Sequence, residues 1–260
     1  VSELLEQIAF ARQSLEKQPE QGIGGIHHHP AALMVRDRVF YAPAPLGTTG
    51  KVAFVFPGSG NHYAGMGRDL FAQWPEVLRT QQAENKFLRQ QYQSDVFWKK
   101  ETGDLSDNHK ALIFGQVSLG TGVSDLVRSF GIAPQAVIGY SLGETAGLFS
   151  LRAWRDRDSM LDRIAESRLF THELAGDCDA ARRAWSLPGK DTVDWVLGVV
   201  DRPMKVAKQA LKRRKKVYPL IANTFQETVI GGNRKAVEKL IAKLECQFIP
   251  LEGVTTVHCD

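Results

Sequence analysis

The chain has 260 residues, 43% of them hydrophobic and 24% charged, with a formal net charge of +4. Such a composition supports a sizeable core and excludes a disordered or fibrous chain, while the mild positive charge favours an acidic partner without requiring nucleic acid. Three cysteines, Cys178, Cys246 and Cys259, are too few and too dispersed for a disulfide framework or a paired zinc motif, so a reducing cytoplasm is the expected setting.

Residues 1–46 read as a separate linker. Leu4, Ile8, Ala11 and Leu15 recur at helical spacing and make one amphipathic face. Residues 18–30 are interrupted by Gly and Pro and contain His27, His28 and His29. Adjacent histidines in such a loop do not converge on one ion, so no metal is assigned to them. Residues 32–35 and 39–41 flank Arg36-Asp37-Arg38 as a short hairpin, and Pro43 and Pro45 stiffen the link to the main body.

The main body is expected over 47–192 and 253–260. It opens with Val52-Ala53-Phe54-Val55-Phe56, a continuous apolar run with the pattern of a buried parallel strand. The run ends in the tight loop Pro57-Gly58-Ser59-Gly60. Residues 70–90 read as helix with a break near Trp74-Pro75, and 99–109 as a polar, irregular stretch. A long helix comes next over 111–130, weakened by Gly115, Gly120 and Gly122 and stopped by Gly131. Ala136-Val137-Ile138 forms a second short strand, and Gly139-Tyr140-Ser141-Leu142-Gly143-Glu144 opens the next helix. Strands alternating with helices indicate an α/β layer fold with a largely parallel sheet. Between 193 and 252 the texture changes to strand 195–200, helix 203–216, strands 217–222 and 228–230, helix 233–244 and strand 248–251. That βαββαβ order predicts a ferredoxin-like subdomain inserted in the body. No apolar run reaches the roughly 18 residues that cross a bilayer, and no signal-peptide pattern opens the chain, so no membrane partner is expected.

The sharpest chemical signal is Gly139-Tyr140-Ser141-Leu142-Gly143, a G-x-S-x-G nucleophile elbow between a strand and a helix. Its glycines permit a sharp turn that lifts the Ser141 hydroxyl to the start of the helix, where the helix dipole favours a developing negative charge. A serine nucleophile requires a base, most often histidine. Of seven histidines, His62 and His258 follow loops suited to the role, and position alone does not choose between them. An oxyanion hole takes one backbone amide from the residue after the nucleophile, Leu142, and a second from the Gly-rich loop 57–60.

Three motifs in order, Phe56-Pro57-Gly58-Ser59-Gly60 with Gly65-Met66-Gly67, then the Ser141 elbow, then Val257-His258, resemble the acyltransferase family. Its members are the malonyl-CoA:acyl-carrier-protein transacylases of fatty acid synthesis and the acyltransferase domains of polyketide synthases. Tyr140 and the continuation Ala146-Gly147-Leu148-Phe149 are most similar to domains of polyunsaturated-fatty-acid synthases. The resemblance spans residues 52–260. It implies an α/β-hydrolase-like body with a parallel sheet and an inserted ferredoxin-like subdomain, preceded by a helix-plus-strand linker over 1–46.

By the same resemblance, Ser141 is the acylated nucleophile, His258 its base, and the Leu142 and Ser59 amides the oxyanion donors. Ser59, His62 and Tyr140 replace a glutamine, a glutamine and a histidine common in the family. Arg168 matches the arginine that binds a malonyl carboxylate, with Arg163 one turn away as a competitor; guanidinium and carboxylate pair bidentately. Thr255-Thr256-Val257-His258 fits no usual selectivity pattern. The implied activity moves a malonyl or related acyl group from CoA through an acyl-serine to the phosphopantetheine thiol of an acyl carrier protein, without a bound cofactor or metal. The implied partners are malonyl-CoA, an acyl carrier protein and neighbouring synthase domains. The basic run Lys205, Lys208, Lys212, Arg213, Arg214, Lys215 and Lys216 offers a face for an acidic carrier or is simply a solvated helix end. The alternatives are a serine esterase or thioesterase, in which water accepts the acyl group, and a non-catalytic docking domain of a synthase. Family members continue beyond the base histidine, so the α/β body is expected to be incomplete at Asp260.

Overall fold

The computed structural model describes residues 2–22, 39–46, 49–99, 108–189, 191–212, 215–251 and 256–260. His27, His28 and His29, the strand expected at 32–35 with its turn at 36–38, and Arg213, Arg214 and Thr255 lie outside them. The chain divides into two compact units, Val1–Lys51 and Val52–Asp260. The first contains helix α1 (Ser2–Lys17), none of whose residues is buried.

The second unit is an α/β fold with one parallel and one antiparallel sheet. Strands β1 (Ala53–Phe56) and β2 (Ala136–Gly139) pair in parallel, with Phe54 opposite Val137 and Phe56 opposite Gly139. Strand alternation sends Phe54, Phe56 and Val137 to one face, where they pack against Val117, Ala146 and Phe149. On the other face Val55 and Ile138 are 69% and 59% exposed. The run expected to be buried throughout is therefore buried on one face only, because among the described residues helices cover that face alone.

Helices between the strands make the covering layer. The helix expected over 70–90 is broken into α2 (Arg68–Gln73), α3 (Pro75–Glu84) and α4 (Leu88–Tyr92), followed by α5 (Ser94–Phe97). Pro75 starts α3, the position where its missing N–H costs nothing. Asn85 is extended and Gln93 left-handed, which end α3 and α4. The amides of Lys86 and Phe87, released by the first break, donate to the Asp158 carboxylate at 2.7 and 3.1 Å. Helix α6 (His109–Ser129) is capped by Asn108, whose side chain accepts from the Ala111 amide. At Gly122 a Cβ would lie 2.8 Å from Phe71 Cε1. Glycine there lets α6 approach the α2–α4 layer despite its low helix propensity.

After β2 come α7 (Leu142–Ser150), α8 (Arg157–Glu166), a π-helical turn (Leu169–Glu173) and α9 (Asp179–Ala184). A buried polar network joins α8 to α3 and α4. Arg157, 4% exposed, donates to Gln81 Oε1 and Asn85 Oδ1, and the Tyr92 hydroxyl also donates to Gln81 Oε1. Arg152 spans Glu84 and Asp125.

The series then runs β3 (Trp195–Val200), α10 (Met204–Leu211), β4 (Val217–Ala222), β5 (Thr228–Asn233), α11 (Arg234–Leu244) and β6 (Phe248–Pro250). The strands form one antiparallel sheet in the order β4-β5-β3-β6. Ala207, Leu211, Val237 and Leu240 from the two helices pack on Val200, Val217 and Ile230. Apolar positions on α10 and α11 recur at helical spacing, while β3 and β4 are short continuous apolar runs, which is why this stretch reads clearly in the sequence.

Candidate active site

The chain turns sharply from β2 into α7, and Ser141 sits at the turn. Its backbone lies outside the usual regions, at φ 51° and ψ −114°, and it precedes the first residue of α7. A non-glycine residue held there stores on the order of 1–3 kcal/mol of strain, tolerated only because the surroundings over-determine it. Those surroundings are glycines and backbone. A Cβ on Gly139 would collide with the backbone of Gly143 and Glu144, and one on Gly143 with the carbonyls of Phe56 and Pro57. The Tyr140 amide donates to Phe56 O at 3.0 Å, which fastens the elbow to the end of β1.

The Ser141 hydroxyl and His258 Nε2 are 2.8 Å apart. His258 also has a left-handed backbone, φ 63°, and its flanking residues are anchored. The Thr256 amide and hydroxyl both donate to the Leu174 carbonyl, at 2.7 and 3.1 Å. Cys259 packs against the cluster of Cys178, Ala181, Trp185 and Trp195. In that cluster the Trp185 and Trp195 rings stack at 5.6 Å, and Trp195 stacks on Tyr218 at 5.8 Å. Of the two histidines left open by sequence position, His258 faces the serine, whereas His62 lies beside the Phe97 ring at 6.3 Å.

The helix-start geometry leaves the Leu142 amide of the elbow available. Gly143 and Glu144 donate back to Tyr140 O and Ser141 O, closing the turn at 2.9 and 3.0 Å. Leu142 is the first residue of α7, where an N–H has no intrahelical acceptor. The loop 57–60 lies against the same elbow, since a Cβ on Gly58 would come 2.7 Å from Tyr140 Cδ1. The Gly58 carbonyl accepts from Asn61 Nδ2 at 2.9 Å and Gln116 Nε2 at 3.3 Å. A cavity of about 520 Å³ borders this region, lined by Phe54, Phe56, Leu119, Val123 and Leu142 together with the amides of Asn61 and Gln116.

Arg168 lies between α8 and the π-helical turn. Helix α8 ends at Glu166 because Ser167 is extended, so Arg168 leads into the π-helical turn instead of lying on a helix. Its side chain is 67% exposed and its Nη2 is 3.7 Å from Asp179 Oδ2. Arg163, its competitor, is exposed in the last turn of α8.

Two contacts had no signal in the sequence. The Tyr140 hydroxyl donates to Asn223 Oδ1 at 2.9 Å, linking the elbow to the turn after β4. Partial burial raises the Tyr140 phenol pKa, which keeps it a donor. The second is the Thr256 clamp on Leu174. Both join segments roughly eighty residues apart, beyond the reach of any local pattern. Among the described residues no group of three His, Cys, Asp or Glu side chains could hold a metal ion, and no helix is long and apolar enough to cross a membrane.

Comparison with known proteins fits this geometry. The chain is 36% identical over 216 residues to the non-reducing polyketide synthase ZEA1 of Gibberella zeae, covering 79% of this chain and 10% of that protein. It is 28% identical over 197 residues to a phenolphthiocerol/phthiocerol polyketide synthase of Mycobacterium tuberculosis, covering 75% of this chain and 11% of that one. The chain thus spans about a tenth of the length of these synthases. The malonyl-CoA:ACP transacylase of Synechocystis sp. PCC 6803 shares the fold, with a TM-score of 0.52 at 24% identity over 79% of this chain and 63% of that structure. The model of the acyl transferase domain family matches residues 53–254, and the chain belongs to that family.

Proposed function

We propose that this domain moves a malonyl or related acyl group from CoA to the phosphopantetheine thiol of an acyl carrier protein through an acyl-serine on Ser141. The observation that carries the reading is the 2.8 Å approach of His258 Nε2 to the Ser141 hydroxyl. His258 takes the hydroxyl proton as Ser141 Oγ attacks the thioester carbonyl, and the new C–O bond forms while the carbonyl π electrons move to oxygen. The Leu142 and Ser59 amides hold that oxyanion. The tetrahedral intermediate collapses, the C–S bond breaks, and the CoA thiolate takes the proton from His258. The carrier thiol then gives its proton to His258 and attacks the acyl-serine; as the C–O bond to Ser141 breaks, Ser141 Oγ takes that proton back from His258, and the acyl group is left on the carrier sulfur. This is a ping-pong sequence with no cofactor.

Arg168 is the proposed contact for the malonyl carboxylate, which would displace Asp179 from the guanidinium. Residues 1–46 are read as a linker to neighbouring synthase domains, and the antiparallel sheet with α10 and α11 as an inserted ferredoxin-like subdomain over 193–252. The exposed lysines of that subdomain, Lys205 and Lys208 among them, suit an acidic carrier protein.

The test is intact-mass measurement of the full-length protein mixed with malonyl-CoA, with and without carrier protein. A malonyl adduct on the wild type, none on Ser141→Ala, and transfer to the carrier thiol are the expected results. An adduct undiminished in Ser141→Ala refutes the mechanism. Release of free malonate in place of carrier loading makes the protein a thioesterase.

A further inference from the structure

We propose that Gln116 and Asn61 are positioning residues of the oxyanion hole, acting through the Gly58 carbonyl to aim the Ser59 amide. The inference rests on the proposed function, in which that amide is one of the two donors. A trans peptide unit is planar, so the carbonyl of one residue and the N–H of the next point in opposite directions. Whatever grips Gly58 O therefore sets the direction of Ser59 N–H. Two side-chain amides grip it, Asn61 Nδ2 at 2.9 Å and Gln116 Nε2 at 3.3 Å, and two donors match the two lone pairs of a carbonyl oxygen.

The loop needs such a grip. Gly58 has no side chain to restrict its backbone, and none is admissible there, because a Cβ would lie 2.7 Å from the Tyr140 ring and 3.1 Å from the Tyr140 carbonyl. The two donors reference the loop to different elements. Asn61 is three residues along the same loop, whereas Gln116 stands on α6, a 21-residue helix packed against Phe97 and Phe56 through Gly115 and Gly120. A donor carried on a rigid helix fixes a loop more closely than the loop fixes itself. Gln116 keeps this position at a cost, since its Oε1 is buried without a hydrogen-bond partner. Oxyanion donors accelerate acyl transfer because their dipoles are already oriented when the charge develops, so a loosened donor is a weaker one.

The experiment measures acyl-serine formation in the full-length protein for wild type, Gln116→Ala, Gln116→Glu and the Asn61→Ala/Gln116→Ala pair. It also measures binding of two CoA analogues: an amide that stays trigonal and a trifluoromethyl ketone that adds Ser141 to form a tetrahedral oxyanion. The expected result is a fall in rate of about tenfold for Gln116→Ala and about a hundredfold for the pair, the latter at the lower limit of what deleting an oxyanion donor costs. KM stays unchanged. Gln116→Glu, the same size but lacking the donor, does not rescue. Ketone affinity falls by the same factor as the rate while amide affinity holds. Wild-type rates in the double variant, or equal losses for ketone and amide, overturn the inference while Ser141 acylation still stands. A wild-type protein that forms no acyl-serine overturns the proposed function and this inference with it.

Discussion

Replacing Gly143 with alanine tests whether the approach of α7 to β1 sets the reacting geometry. The new Cβ would lie 2.7 Å from Phe56 C and 2.9 Å from Pro57 O, and closer still to the Phe56 oxygen, whereas ordinary contact begins at 3.4 Å. All three atoms are backbone, at the end of a strand that also accepts the Tyr140 amide, so no side-chain rotation relieves the clash. The start of α7 must retreat by about 1 Å, and a misplacement of that size costs roughly 10²-fold in rate. Moved that far, the 2.8 Å contact of Ser141 with His258 leaves hydrogen-bond range. Overpacking against a fixed backbone also lowers stability by about 1–3 kcal/mol. Rapid-quench mass spectrometry of acyl-serine formation reads the first effect and denaturant unfolding the second. Gly189 is the control, because its Cβ would meet nothing within 4 Å; Gly189→Ala should alter stability by no more than about 0.5 kcal/mol. A Gly143→Ala protein that acylates at the wild-type rate with an unchanged midpoint refutes the reasoning.

Two further outcomes are expected from the structure. Arg168→Ala should weaken malonyl loading while sparing acetyl loading, and Asp179→Asn, which frees the guanidinium, should favour malonyl over acetyl; equal effects on both acyl groups, read by intact mass, contradict a carboxylate contact. Arg157→Ala removes a buried guanidinium that donates to Gln81 Oε1 and Asn85 Oδ1, leaving these acceptors only the Tyr92 hydroxyl and the Gln91 side-chain amide. It should cost about 2–4 kcal/mol in urea unfolding, and a loss below about 1 kcal/mol would show that the network is not held by this guanidinium.

The parts legible in the sequence are those whose cause is local. The elbow is readable because Gly139 is required by contacts with Gly143 and Glu144 a few residues along, although Gly143 itself is held against Phe56 and Pro57 at the end of the distant strand β1. The βαββαβ series is readable because α10 and α11 bury one stripe each and β3 and β4 are short apolar runs. The breaks at Asn85 and Gln93 were not readable. Residues 70–90 have helical composition, and the amides freed at the first break are accepted by Asp158, 72 residues along the chain. The end of α8 was not readable either, since Ser167 turns extended and nothing in Glu166-Ser167-Arg168 marks that turn.

A serine on a strand-to-helix turn flanked by glycines, within an α/β chain carrying a βαββαβ segment, is written in the residues themselves, because turn chemistry and side-chain periodicity act over a few positions. The 2.8 Å approach of His258 to that serine, the covering of β1 on one face, and the sharing of the Gly58 carbonyl by Asn61 and Gln116 emerge only once the chain is folded. Those are contacts between distant segments, and hydrogen bonds of about 3 Å depend on how the layers pack, which no local pattern encodes.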